Sequence, residues 1–427
     1  MKERLSICYA APGHSLVPTS GTTRNILSLA KAMAAWADVT VAFRNIPDSA
    51  AGLNGTFGVE TIDKRSHPGV GVDDEATRGV NPLSHLAYLR TVREYARQAA
   101  GRYDVVLEKG WRLSGYLVHS AAASGAAGAV IENDARCWTG PRTAPRDFLK
   151  WLLHSGAQRL AGSYSGKAPI VIAETEELRQ QLYLVRGVPL DKIRVVPLGV
   201  DHALFRPIDQ NLARQSVQIA PEKLVLLYVG GMDKYHDLSP LLEALAEFHS
   251  RGLELHIVGE GEFRPRYEQA AARSGCPVVF HGRVPHERVP FYIGASDLCL
   301  APYCAEAFHD QTITFSTLKI PEYMACARPV ASIPSGEIKR LIQPGINGFL
   351  LPNSVAGWST FLPATPTRTK LSQMGQAAFQ AVEHRSWEAT ARGYLQAIAE
   401  CGYPTADRRL QIADRSAEPA STLRNFR

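Results

Sequence analysis

The sequence predicts an α/β protein built from two successive parallel sheets, each wound by helices on both faces. Three observations carry that expectation. Short β-branched runs alternate with amphipathic segments along the chain. The alternation stops near residue 200 and restarts near residue 224. The 427 residues exceed what one core usually fills, so two domains of about 200 residues each are expected.

In the first half the expected strands are Leu5–Ala10, Val39–Phe43, Val105–Leu107, Ala129–Ile131 and Ile170–Ala173. Amphipathic helices lie between them, clearest at Arg24–Ala34 and His85–Ala100. In the second half Leu224–Val229 is a buried strand ending in Gly230-Gly231, followed by a helix over Leu238–Ser250. Leu253–Val258 ends in Gly259-Glu260-Gly261, and Val278–His281, Asp297–Ala301 and Pro329–Ile333 continue the pattern. The two series are joined near Gly199–Pro207, which sets Rossmann-like domains at 1–205 and 206–380. Trp387–Glu400 reads as a last helix, and 404–427, without periodicity, reads as a disordered tail.

Composition narrows the class. Hydrophobic content of 45%, charged content of 21% and a net charge of +6 are those of an ordinary globular protein and do not call for nucleic acid. Seven scattered cysteines without a Cys-x-x-Cys pair read as reduced thiols in a cytoplasmic protein. No secretory leader and no spanning apolar run is visible. No His/Asp/Glu cluster has metal-ligand spacing, so no metal is expected. Neither glycine cluster completes a G-x-G-x-x-G fingerprint, which disfavours a nicotinamide dehydrogenase.

The richest segment is Thr312-Ile-Thr-Phe-Ser-Thr-Leu-Lys-Ile-Pro-Glu-Tyr-Met-Ala325. Pro321 is tolerated only in a helix's first turn, so a helix is expected to start near Ser316 or Thr317. Lys319 and Glu322 then flank its N-terminus, where the amides of Ser316, Thr317 and Leu318 face a phosphate. Glu322, one turn in, suits two vicinal ribose hydroxyls. Ligands in an open α/β sheet sit beyond the strands' carboxyl ends, so the loops after Val229, Val258, Phe280 and Leu300 should share this crevice. The residues thus describe a nucleoside-diphosphate site.

Several segments, in order, resemble glycosyltransferase family 4, in the two-domain GT-B fold. They are Ile193-Arg-Val-Val-Pro-Leu-Gly-Val-Asp-His-Ala-Leu-Phe205, Tyr228-Val-Gly-Gly-Met-Asp-Lys-Tyr-His-Asp-Leu238, Ile257-Val-Gly-Glu-Gly-Glu262, Gly282-Arg-Val-Pro285, Phe315–Ala325 and Gly345-Ile-Asn-Gly-Phe349. The resemblance covers roughly 190–400. It implies two Rossmann-like domains facing across a cleft, with the helix after Ser386 returning to the first. It also implies retaining, metal-independent transfer from a nucleotide sugar, with UDP or GDP the expected nucleotide and no separate cofactor.

The sequence departs from that family at informative positions. The diphosphate-binding Arg and Lys of many members fall on Gly231 and His236, so the cations expected at the phosphates are Lys234 and Lys319. Gly230, Gly259 and Arg283 complete the expected donor loops, with Arg283 by the base. The second carboxylate of many members falls on Thr314, which leaves Glu306, His309, Asp310 or Thr312 as candidates for the donor sugar.

The first domain is expected to bind the acceptor, a small molecule or a glycan. Gly21, in Ser20-Gly-Thr-Thr-Arg-Asn25, opens a helix that in this fold faces the donor. Glu132 and Asp134, at a strand end beside Glu108-Lys-Gly-Trp111, are candidates to orient or deprotonate an acceptor hydroxyl. Arg136–Lys167 holds six basic residues against one acid, with aromatics interleaved. That stretch suits a membrane surface, although a helix over Asp147–Gly162 packing Phe148, Leu152 and Leu160 inward is the reading preferred. The function expected is glycosyl transfer, with a small metabolite of a natural-product pathway as one acceptor class. A sugar-nucleotide epimerase or phosphorylase of the same fold, or a nucleotide-binding protein with a decayed site, are the alternatives.

Overall fold

A computed structural model describes residues 4–18, 20–47, 56–63, 82–135, 144–250 and 252–400. The tail expected at 404–427 and the basic residues Arg136 and Arg142 lie outside the described residues. The chain forms two compact units, 1–197 with 387–427, and 198–386.

The first unit holds β1 (Leu5–Ala11), β2 (Ala37–Phe43), β3 (Gly58–Thr61), β4 (Val105–Lys109), β5 (Ala127–Glu132), β6 (Ile170–Ala173) and β7 (Ile193–Val195). They pair in parallel, in the order β3-β2-β1-β4-β5-β6-β7. Its helices are α1 (Gly21–Met33), α2 (Pro82–Arg102), α3 (Tyr116–Ala122), α4 (Pro145–Ser165) and α5 (Glu176–Gln181). In the second unit β8 (Leu224–Val229), β9 (Leu253–Val258), β10 (Val278–Gly282), β11 (Leu298–Ala301), β12 (Val330–Ser332) and β13 (Gly348–Leu350) are also parallel. Their order is β10-β9-β8-β11-β12-β13. Helices α6 (Gln210–Val217), α7 (Ser239–Glu247), α8 (Arg264–Ala271), α9 (Val289–Ala295), α10 (Lys319–Ala325), α11 (Ile338–Leu341), α12 (Val355–Phe361) and α13 (Arg368–Val382) wind around this sheet, and α14 (Trp387–Ala399) belongs to the first unit.

Central strands are apolar along their whole length because helices cover both faces; every residue of β1 is buried. In the second unit Leu226, Tyr228, Leu298 and Leu300 feed one core, while Leu227, Cys299 and Ala301, alternate along the same strands, feed the other. Helix α10 packs on the second of these through Ile320, Tyr323 and Met324. Each such buried side chain contributes about 1.5–3 kcal/mol. Strands β3, β7 and β13 escape the sequence because they are edge strands of three or four residues, too short to show a period.

Both sheets reverse their winding beside the first strand, between β1 and β4 and between β8 and β11. Crevices for ligands open at such switch points. Each unit therefore has one address for chemistry.

Candidate active site

In the second unit, glycines let the strand ends touch. A Cβ at Gly259, whose φ is +132°, would lie 2.0 Å from the Gly230 carbonyl oxygen. The Gly230 amide donates to Val258 O at 2.9 Å, and the Gly259 amide to Gly282 O at 2.8 Å. The loops after β8, β9 and β10 are thereby stacked edge to edge. Arg283, exposed, follows directly.

Lys319 is inserted under this stack. It is the first residue of α10, later than the expected start at Ser316 or Thr317. Leu318 holds the N-cap position without any side-chain cap, so the first-turn amides keep no partner from the cap. The Lys319 ammonium lies 3.4 Å from Tyr228 Oη and within 4.6 and 5.4 Å of the Tyr228 and Tyr303 ring centroids. A Cβ at Gly230 would come within 2.6 Å of Nζ, so glycine at 230 makes room for the cation. Burial pulls the Lys319 pKa down to about 7, against the opposing pull of Asp233 and Glu322. Glu322, half-buried in the same turn, is therefore in electrostatic reach of Nζ. Tyr323 anchors the helix to β8, accepting from the Val229 amide at 2.8 Å.

Asp233 organises the first loop. It accepts from the Tyr235 amide and pairs with His236 Nδ1, both at 2.9 Å. Burial opposes its ionisation, but His236, the Tyr235 amide and Lys319 together hold its carboxyl below the usual range. Burial and then Lys319 lower the His236 pKa, so the ring is neutral at pH 7, with Nδ1 toward Asp233. Lys234 differs from Lys319: it is exposed, 4.9 Å from the Tyr235 ring centroid.

The entry to α10 is held by one buried hydroxyl. Ser316 is buried, donates to Glu337 Oε2 at 2.8 Å and accepts from Arg385 Nη2 at 3.3 Å. Arg385 pairs with Glu337 at 2.8 Å and also donates to the Leu198 carbonyl. The Ser316 hydroxyl is thus a structural pin that fixes the loop, and only its amide remains for a ligand. The Thr317 hydroxyl is buried beside Tyr303.

The sugar candidates share one loop after β11. Asp310 and Gln311 both have left-handed backbone, φ +50° and +52°, the kind of strain that clusters at ligand sites. Thr312 Oγ1 donates to Asp310 O at 3.1 Å. Glu306 is exposed and accepts from Cys304, whose amide binds Tyr235 O at 3.0 Å. This loop, which also carries His309, is therefore tied to the Asp233 loop.

In the first unit the expected acceptor base is corrected. Glu132 is 1% exposed, paired with Arg186 and hydrogen-bonded by Ser114 and Ser165. A carboxylate held by three donors inside the core cannot reach an acceptor. Glu108 is likewise interior. It receives Trp111 Nε1 and the amides of Gly115 and Val118 at the start of α3. Burial pushes its carboxyl up to about 8 despite these donors. Lys109 is 1% exposed and pairs with Glu174. Asp134 is exposed. Gly21 opens α1 after the cap Ser20, and a side chain there would meet nothing within 4 Å. The inward packing of Phe148, Leu152 and Leu160 is also overturned: all three are exposed on α4.

Sequence reasoning missed Tyr228, Asp233, Tyr303, Glu337 and Arg385. The tyrosines look like core aromatics, and Glu337 pairs with a residue 48 positions away. One signal was available: Ser335-Gly-Glu337 turns after β12, and Gly336 has φ +52° beside the Ile313 carbonyl. Among the described residues no group of three or more His, Cys, Asp or Glu is placed to hold a metal. No described helix is long and apolar enough to cross a membrane.

Two parallel sheets of this order define a fold found among solved structures. The chain superposes on sucrose-phosphate synthase from Thermosynechococcus elongatus with a TM-score of 0.73 at 18% identity, covering 93% of this chain and 99% of that one. Anabaena HepE, solved with UDP and glucose, gives 0.70 at 17% identity, covering 93% and 100%. This is the GT-B fold of glycosyltransferases. The profile described as Glycosyltransferase Family 4 matches residues 19–204, and that described as Glycosyl transferases group 1 matches 223–360. D-inositol 3-phosphate glycosyltransferase of Nocardia farcinica is 29% identical over 335 residues, 72% of this chain and 69% of that protein. The Rhodococcus erythropolis protein of the same name is 28% identical over 343 residues, 74% and 72%. The chain belongs to glycosyltransferase family 4 and is a transferase enzyme.

Proposed function

We propose that the protein transfers a sugar from a nucleoside diphosphate, with a UDP-sugar as first choice, to a hydroxyl of a small polyhydroxylated metabolite. Retention at the anomeric carbon accompanies this reading through the family. One observation carries it: Lys319, half-buried with its pKa near 7, sits under Gly230 at the β8/β11 switch point. In the proposed reaction the bond from the anomeric carbon to the diphosphate oxygen breaks with its electron pair on the phosphate. The acceptor oxygen bonds to the same carbon, and its proton passes to the departing phosphate. Lys319 and the amides at Thr317 and Leu318 stabilise the charge that develops there. Glu322 accepts from the ribose hydroxyls, and the Glu306–Thr312 loop meets the sugar. The HepE complex supports a uridine nucleotide. The relatives named for D-inositol 3-phosphate support a small acceptor, and the exposed Asp134 of the first unit is the residue proposed to orient it.

Thermal unfolding with UDP, GDP and ADP tests the donor half. A nucleotide at a hundred times its dissociation constant stabilises the folded state by about 2.7 kcal/mol. A shift of several degrees with UDP is expected; no shift with any of the three removes the donor site.

A further inference from the structure

Helix α4 is built inside out for a helix in water. Its inward face carries Gln158, Ala161, Gly162 and Ser165, and a Cβ at Gly162 would lie 1.9 Å from the Arg186 carbonyl oxygen. Small residues let the helix lie close on the first unit. Its outward face carries Phe148, Leu149, Leu152, Leu153 and Leu160, which are 51, 54, 52, 66 and 47% exposed. With 3.6 residues per turn these five side chains fall within an arc of about 140°. A soluble helix normally turns such an arc to the core. Arg146, Lys150 and Arg159 are exposed on the same helix, and its one acid, Asp147, is paired with Lys150 at 3.3 Å.

We propose that α4 is an interfacial helix that docks the enzyme on an anionic lipid bilayer. This goes beyond the transfer reaction and does not depend on it. The apolar arc supplies area for the acyl boundary, and the basic side chains meet lipid phosphates. Charge selects this occupant over a second copy of the chain. Two such faces would oppose Arg146, Lys150 and Arg159 to their own equivalents, with one already paired acid to offset them. Helix α4 lies along the surface, since no described helix can span a membrane.

Flotation of the full chain with vesicles tests this. The protein should float with phosphatidylcholine–phosphatidylglycerol vesicles at low salt, and stay behind with phosphatidylcholine alone. Joint replacement Leu149→Ser, Leu152→Ser and Leu153→Ser should reduce partitioning by about tenfold or more. Arg146→Ala, Lys150→Ala and Arg159→Ala together should remove its dependence on salt. Both sets are exposed, so circular dichroism and the unfolding temperature should stay as in the parent. Failure of the parent to float with anionic vesicles overturns the proposal, as does undiminished flotation of the leucine variant. A concentration-dependent dimer in sedimentation, lost in the leucine variant, would assign the face to self-association and overturn it equally.

Discussion

The two units share one winding order but treat charge at their switch points in opposite ways. In the first unit Glu108, Lys109, Glu132 and Glu174 stand at the strand ends fully buried, each held by partners of its own unit. In the second, Lys319 is half-buried, has aromatic faces as its nearest neighbours and carries a pKa lowered to about 7. Paired buried charge fixes loops. A cation with incomplete compensation is a place for an anion. The same topology thus carries paired, structural charge at the strand ends of one unit and, in the proposed reading, an anion site at the switch point of the other.

The largest expected effect breaks the scaffold side. Glu132→Ala leaves Arg186 buried without its carboxylate and should cost about 3–5 kcal/mol in the unfolding of the first unit. UDP affinity should stay unchanged, and calorimetry with and without UDP checks both halves. On the site side, Lys319→Met should lower turnover of the donor by about 10²–10³-fold, the range for one donor to a developing oxyanion. Steady-state kinetics should place the loss mainly in kcat. Glu322→Ala should weaken UDP binding by about 1.5–3 kcal/mol, the scale of hydrogen bonds to a charged group. Titration calorimetry reads this directly, and unchanged affinity would remove Glu322 from the ribose.

What the sequence disclosed follows from chain distance. Parallel central strands announce themselves as apolar runs, so β1, β8 and β9 were readable, whereas the edge strands β7 and β13 were not. Lys319 and Glu322 were readable because one helical turn holds both. The pin formed by Ser316, Glu337 and Arg385 was not, because the fold alone brings its members together. It also occupies the Ser316 hydroxyl. Helix α4 shows a different limit. Periodicity reveals that a face is apolar but not what it faces, and Leu152 and Leu160 face outward. Glu132 likewise looked available at a strand end, and only packing reveals Arg186 over it.

The most direct test of the central claim is the pH dependence of UDP affinity in the parent and in Lys319→Met. A bound diphosphate raises the pKa of Lys319, which is about 7 in the free protein. The favourable charge is therefore fully present below pH 7 and is lost as pH rises through the free-protein value. Parent affinity should fall by up to about tenfold per pH unit above 7 until the pKa of the complex is reached. The Lys319→Met protein should bind more weakly and show no such fall. A flat profile in the parent, or the same slope in both proteins, would contradict the assignment of Lys319 to the diphosphate.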